Sequence, residues 1–278
     1  MIRVGQQNTL EVVREIRGAW VLTDDGDDTV HLPSEEAPFD IQIGGDVEVF
    51  IYTDTHDVRV ATTRKPLGVV GEFVCLVVVD LGRPGVFCDW GLDKDLLIPN
   101  ALLHDQLRIG DKVVVYIKLD EDDRVMGVSR LHNYFDTDTD GLSEGQAVKL
   151  MIYGDTDRGF QVVVDGRWGG MLFFDQTHQD LAIGQVLDGF VTAIRDDARL
   201  DVTLRPKRQK RVVISDDMAA IVEEIQLRGG FLALTDKSSP DEIRAELSMS
   251  KKAFKRAIGG LYKARKIEMS GRGIKWIA

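Results

Sequence analysis

Basic side chains concentrate in the last quarter of the chain, where they could neutralise the phosphates of a nucleic acid. Residues 207–278 hold 16 of the 35 Lys and Arg residues but only 9 of the 46 Asp and Glu residues. Such cations attract nucleic acids because they release the counterions condensed around phosphates. The candidates are Lys207, Arg208, Lys210, Arg211, Lys252, Lys255, Arg256, Lys263, Lys266, Arg272 and Lys275. An ordinary solvated surface is the alternative. The linker, the third helix and the hairpin all contribute positive charge to the same domain, which favours a nucleic acid as the ligand.

The rest of the chain has the opposite charge. Residues 1–206 keep 19 basic against 37 acidic side chains, and the formal net charge of the whole chain is −11. Because phosphate contacts supply most non-specific affinity, the net charge of the whole chain argues against indiscriminate polyanion binding.

Residues that catalyse reactions or bind metals show no comparable pattern. The five histidines are scattered, without a cysteine or carboxylate at metal-ligand spacing. No glycine-rich phosphate loop or nucleophile elbow occurs. Asp136–Gly141 begins like a calcium loop, but position twelve is Ala147 instead of the bidentate Glu, which favours a solvated linker. The sequence therefore predicts neither an enzyme nor a bound cofactor or metal.

The sequence also bears on the cellular compartment of the protein. No apolar run reaches the length needed to span a bilayer, and no charged-then-apolar leader opens the chain. Cys75 and Cys88 lie in predicted strands of one repeat, which is typical of reduced core thiols. We therefore expect a cytoplasmic protein.

One phrase of sequence recurs three times before residue 206. It reads Ile43-Gly44-Gly45-Asp46-Val47, then Ile109-Gly110-Asp111-Lys112-Val113, then Ile183-Gly184-Gln185-Val186-Leu187. Each copy leads through an acidic turn to a segment with arginine. Equating Gly45, Gly110 and Gly184 gives spacings of 65 and 74 residues. A recurrence of this size indicates repeated small domains.

The middle repeat shows best which elements carry these residues. It holds five β-branched or apolar runs separated by turn residues: 73–79, 86–89, 96–98, 113–117 and 125–128. Five strands in about 65 residues are typical of an oligonucleotide/oligosaccharide-binding barrel, which leaves few free sheet edges. We predict three all-β barrels at residues 1–65, 66–135 and 142–206, the first of them divergent and acidic.

Helical spacing begins only after residue 206. Met218, Ile221, Val222 and Ile225 lie at i, i+3, i+4 and i+7 before Gly229-Gly230. Ser239-Pro240-Asp241-Glu242 has the pattern of a capped helix start. A third helix from Ser250 and a hairpin at 267–277 complete a predicted C-terminal winged-helix domain at 212–278, of mixed α/β structure.

The barrels resemble a known domain type. Residues 66–132, with Gly85-Val86-Phe87-Cys88-Asp89, and residues 142–206, with Gly159-Phe160 and Gly170-Met171-Leu172, are similar to S1-type RNA-binding domains. Three such units followed by a winged helix resemble the conserved virulence factor B family of bacteria over essentially the whole chain. The resemblance implies an RNA-binding protein that regulates gene expression after transcription.

Barrels of this type stack the bases of single strands on exposed rings, with basic residues along the backbone. The rings and arginines that match are Trp20, Phe87, Trp90, Phe160, Trp168 and Phe174, with Arg124 and Arg199. The sequence places Trp20 where repeat two has Phe87, and Gln161 at the same position in repeat three. Pro33, Pro99 and Phe174 replace a histidine that many S1 domains carry. Each ring has a core position as its alternative, because a one-residue register error reverses the face.

Two other classes of function stay open on the sequence alone. A DNA-binding transcription regulator would use the winged helix to read a groove, with the barrels as oligomerisation or sensing modules. A scaffold without nucleic acid would dock its acidic barrels on a ribosomal or other basic partner. The third helix offers Arg256 and lysines but no Asn or Gln for base reading, which favours phosphate contacts.

Overall fold

The three repeats fold as β-barrels, which confirms the predicted architecture. The computed structural model describes residues 1–24, 26, 28–177, 180–205 and 210–277, with side chains from residue 217 onward in the last range. The chain divides into two compact units, Met1–Pro206 and Lys207–Ala278. The first unit contains the three barrels and the second contains the winged helix.

Each barrel has five strands in the same order. In barrel one the strands are β1 (Gln7–Ile16), β2 (Ala19–Thr23), β3 (Thr29–Pro33), β4 (Asp46–Thr53) and β5 (Arg59–Thr62). Barrel two has β6 (Phe73–Leu81), β7 (Gly85–Asp89), β8 (Leu96–Pro99), β9 (Lys112–Leu119) and β10 (Val125–Val128). Barrel three has β11 (Ala147–Asp155), β12 (Gly159–Val164), β13 (Trp168–Phe173), β14 (Val186–Ile194) and β15 (Leu200–Thr203). Barrels one and three close through a parallel pair, β3 with β5 and β13 with β15, and barrel two is nearly closed.

The recurrent Ile-Gly phrase forms the same turn in every barrel. Gly44, Gly110 and Gly184 have φ of 79°, 91° and 79°, a left-handed conformation that favours glycine. Their N–H groups donate to the carbonyls of Val12, Val78 and Ile152, each over 2.8 Å. Each acceptor lies at a bulge in the first strand of its barrel, where the strand bends and its twist increases. Gly44, rather than Gly45, is therefore the true counterpart of Gly110 and Gly184.

The barrels of the first unit pack against one another. Phe50 of barrel one lies edge-on to Trp90 of barrel two, with ring centroids 5.7 Å apart. The Lys94 ammonium donates to the carbonyl oxygens of Thr53 and Asp54 over 2.7 and 2.6 Å. This apolar and polar contact fixes the face of barrel two relative to barrel one.

Aromatic rings join barrels two and three. Phe73 of barrel two stacks on Phe135 with a centroid distance of 5.2 Å, and Phe135 in turn lies 5.8 Å from the ring of Tyr153 in barrel three. Beside them Val114, Leu131 and Val163 form a small buried core. Stacked rings of this kind add about 0.5–1.5 kcal/mol each beyond the area that they bury.

The second unit is a winged helix. It contains α1 (Lys210–Leu227), β16 (Phe231–Leu232), α2 (Pro240–Leu247), α3 (Lys251–Lys263), β17 (Ile267–Ser270) and β18 (Gly273–Trp276). The predicted cap is present: the Ser239 hydroxyl accepts from the Glu242 N–H, and the Glu242 carboxylate accepts from the Ser239 N–H. The core side of α3 buries Phe254, Ala257, Ile258 and Leu261. The opposite side of α3 therefore faces solvent.

Candidate nucleic-acid interface

Barrel two carries a groove that begins at an outward-facing ring. On β7 the side chains of Val86 and Cys88 enter the core, so the half-buried Phe87 between them points outward. The groove measures about 660 Å³ and lies where barrel two meets the β4–β5 turn of barrel one. Its apolar and cationic lining includes Pro84, Phe87, Leu97, Pro99, Arg124 and Met126. The predicted pair of Phe87 and Arg124 thus lies in one groove.

Carboxylates dominate the charge of this groove. Asp57, Asp80, Asp93, Asp95 and Asp120 line it, against Lys94 and Arg124. Burial, together with Asp89 and Asp80, raises the pKa of Asp95, and burial lowers the pKa of Lys94.

The two cations of the groove are already engaged. Arg124 donates from Nε to Asp120 over 2.8 Å and also pairs with Asp122 at 3.1 Å. Lys94 is bound to backbone carbonyls of barrel one. The groove therefore suits the flat apolar face of a base better than it suits a phosphate.

The strand register corrects the correspondence between repeats. Trp20 pairs with Leu32 and Phe160 with Leu172, as Val86 does with Ile98, so these three residues share one position. Trp20 and Phe160 accordingly pack against the cores of their barrels. The residues that correspond to Phe87 are therefore Val21 in barrel one and Gln161 in barrel three. The prediction that Trp20 matches Phe87 is wrong by one residue, and the prediction for Gln161 is confirmed.

The structure also corrects which residue of barrel three stands where many S1 domains carry a histidine. Pro33 and Pro99 each precede a short 3-10 turn, and in barrel three that place belongs to Phe173 rather than Phe174. Phe174 follows it, 42% exposed, and lies edge-on to Phe160 with centroids 5.2 Å apart. Arg199 is exposed and pairs with Asp197 at 3.6 Å. Barrel three thus offers one partly exposed ring, Phe174, among its predicted residues.

Two predicted stacking rings belong to the core instead. Trp90 is 2% exposed, and its indole N–H donates to the carbonyl of Lys94. Trp168 is 8% exposed, and its N–H donates to the carbonyl of Asp138 over 2.8 Å. Trp168 opens β13 and is not part of a loop, because the turn ends at Arg167. Neither ring leaves a face for a base, which corrects both predictions.

The winged helix presents its cations differently. Six of the predicted residues are exposed and, among the residues that the structure describes, take part in no ion pair: Lys252, Lys255, Lys263, Lys266, Arg272 and Lys275. Arg256 is the exception, since its guanidinium donates to Asp217 over 2.8 Å. Lys207 and Arg208 lie outside the described residues, as do the side chains of Lys210 and Arg211.

Sequence reasoning missed two residues of these surfaces. Lys94 precedes the predicted strand at 96–98, and its role between barrels depends on carbonyls about 40 positions away. Tyr262 is 55% exposed on α3. Its place seven residues after Lys255 was the available signal, because that spacing puts both on one helix face.

Comparison with known proteins finds separate matches for the barrels and for the winged helix. A family model described as CvfB-like winged helix domain matches residues 219–275, and an S1 domain model matches residues 4–64. The protein YitL of Bacillus subtilis, described as uncharacterized, is 30% identical over 274 residues, 96% of this chain and 91% of its own. Conserved virulence factor B of Staphylococcus epidermidis is 24% identical over 276 residues, 96% of this chain and 92% of its own. The chain belongs to the conserved virulence factor B family.

The S1 domain match extends the S1 assignment to the first repeat. The S1 match covers barrel one, whereas the resemblance seen in the sequence rested on barrels two and three. A multidomain protein with nucleic acid binding domains from Streptococcus pneumoniae, of known crystal structure, is 26% identical and covers 99% of this chain and 98% of its own, with a TM-score of 0.44. Within the described residues, no helix combines the length and the apolar character needed to cross a membrane.

Proposed function

We propose that this protein binds single-stranded RNA in the cytoplasm and regulates gene expression after transcription, without catalysing a reaction. The observation that carries the proposal is the cationic face of the winged helix, in a chain that is otherwise acidic. This face consists of the exposed lysines of α3, with Lys266, Arg272 and Lys275 beside them. That face provides phosphate contacts, and the Phe87 groove of barrel two provides a surface for a base. The S1 and winged-helix matches support the same class of ligand, because both kinds of domain bind nucleic acids.

The composition of α3 supports RNA over a specific DNA site. Base reading in a major groove relies on Asn, Gln or Arg, and α3 carries no Asn or Gln. Its one arginine, Arg256, is held by Asp217. Lysines without base-reading partners contact phosphates and choose little among sequences. The regulatory part of the proposal rests on the family resemblance.

The proposal is tested by titrating the full chain, at one moderate salt concentration, with fluorescent single-stranded RNA and with duplex DNA of the same sequence. Fluorescence anisotropy gives both dissociation constants. Tighter binding of the RNA is the expected result. A preference for the duplex would favour the DNA-binding regulator, and no binding of either would leave the acidic barrels as docking sites for a protein.

A further inference from the structure

Two neighbouring glycines lie within α3, and only one of them has a packing role. A Cβ on Gly260 would meet the Met218 sulfur of α1 at 3.0 Å, so a larger residue there would have to displace the Met218 side chain. A Cβ on Gly259 would meet no atom within 4 Å. Glycine is a poor helix former, second only to proline, so its presence at an open helical position lacks a reason within the fold.

Gly259 lies at the centre of the cationic face. Residues three and four positions away are the neighbours on a helix surface, and here they are Lys255, Arg256, Tyr262 and Lys263. All four are exposed, and the Tyr262 ring is 55% accessible. Lys252 lies two turns earlier, nearly in line with Gly259. The bare patch of backbone is therefore enclosed by four cations and one aromatic ring.

We propose that a nucleic-acid strand crosses α3 at Gly259, with its sugar–phosphate backbone against the bare helix and one base stacked on Tyr262. The inference rests on the proposed function and assigns the contact point within it. Without a Cβ, a ligand backbone approaches the helix more closely than any other residue permits. The N–H groups of the helix interior are already bonded, so Gly259 contributes space while Lys255, Lys263 and Lys252 contribute charge.

The space at Gly259 is tested by filling it. Gly259→Leu in the full chain should weaken binding of a fluorescein-labelled single-stranded RNA of mixed sequence by about tenfold or more. The thermal midpoint of the protein should stay the same or rise, because leucine forms helix better than glycine. Ala220→Leu adds the same exposed side chain to α1 and should leave the affinity unchanged.

The ring is tested separately through the salt dependence of binding. Tyr262→Ala should lower the RNA affinity by roughly fivefold to a hundredfold, the range for loss of one stacked base. The slope of log affinity against log salt should not change, because no phosphate contact is lost. Tyr262→Phe keeps the ring and should bind like the unmodified protein.

Failure of the inference differs from failure of the proposed function. If Gly259→Leu binds RNA normally while Lys252→Glu with Lys263→Glu weakens binding, α3 contacts RNA but the strand does not cross at Gly259. If none of these changes alters binding, neither the crossing point nor the cationic interface is correct. A loss of affinity with Ala220→Leu equal to that with Gly259→Leu would also overturn the inference.

Discussion

The arginines at the predicted faces of the barrels differ in their pairing from the lysines of α3 and the wing. In the barrels, arginines near the predicted faces are held by aspartates: Arg59 by Asp28 at 2.8 Å, Arg124 by Asp120 at 2.8 Å and Arg167 by Asp136 at 2.6 Å. In the winged helix, lysines of α3 and the wing stand exposed without such partners among the described residues.

This difference separates two sources of affinity within one chain. A lysine without an acidic partner neutralises a phosphate and so releases counterions condensed on the nucleic acid. An arginine that is already held by an aspartate adds little net charge and releases few of these counterions. We therefore infer that the salt-dependent part of the proposed RNA binding resides in the α3 lysines of the winged helix. The barrels contribute a ring and apolar walls, whose stacking depends little on salt.

The largest effect that we expect separates a core ring from a surface ring in barrel two. Trp90→Ala removes a buried ring at the contact with Phe50 and should lower the free energy of unfolding by about 3–5 kcal/mol. Chemical denaturation of the full chain, followed by circular dichroism, measures the change. Unaltered stability together with lost RNA binding would show that Trp90 stacks on a base and does not support the core.

The next effect concerns the outward ring of the same barrel. Phe87→Ala should weaken single-stranded RNA binding by about 1–3 kcal/mol, because one base loses its stacking partner. Anisotropy titration measures the loss, and denaturation should show little change in stability. Phe39→Ala is the matched control, since Phe39 is fully exposed and lies outside the groove. Equal losses in both variants would show that the groove has no special role.

The smallest effect concerns a paired charge that serves the fold. Hydrogen bonds from the Asp138 N–H and the Arg167 side chain lower the pKa of Asp136 below its ordinary value of 3.8. A lowered folded pKa means that the stabilisation is present above the ordinary value and is lost as the pH falls through the folded value. Acidification below about pH 4 should therefore loosen this segment.

Trp168 reports that change, because its indole N–H is bound to the carbonyl of Asp138. Its fluorescence should shift on acidification, and Trp168→Phe identifies the part of the signal that belongs to it. In Asp136→Asn the shift should be absent or displaced. An identical acid transition in both proteins would show that Asp136 does not control the segment.

The fold was largely accessible from the sequence because its signals are local. The Ile-Gly phrase predicts a turn that only a left-handed residue completes, and Ser239 with Glu242 predicts a helix start. Even there, the choice between Gly44 and Gly45 needed the hydrogen bond to Val12. The equivalence of turns depends on which N–H reaches the bulge, and the spacing alone does not determine that.

The site was less accessible because it depends on register and on distant partners. Trp20 and Phe87 occupy similar sequence surroundings, yet one residue of displacement turns Trp20 towards the core. Trp90 is buried by Phe50, 40 residues earlier in the chain. The free or paired state of Arg124 depends on carboxylates whose positions emerge only when the turns fold. The cationic face of α3 was predictable, since helical spacing alone defines it.

The most direct test of this division is the RNA affinity of two variants over a series of salt concentrations. Replacing Lys252, Lys255 and Lys263 by Glu should make the slope of log affinity against log salt shallower by about 2, at about 0.7 per contact for a single strand. Lys237→Glu serves as the charge control in the same unit. Phe87→Ala should lower the affinity at every salt concentration and leave the slope unchanged. A shallower slope in Phe87→Ala, or an unchanged slope in the triple variant, would contradict the division of binding between barrels and winged helix.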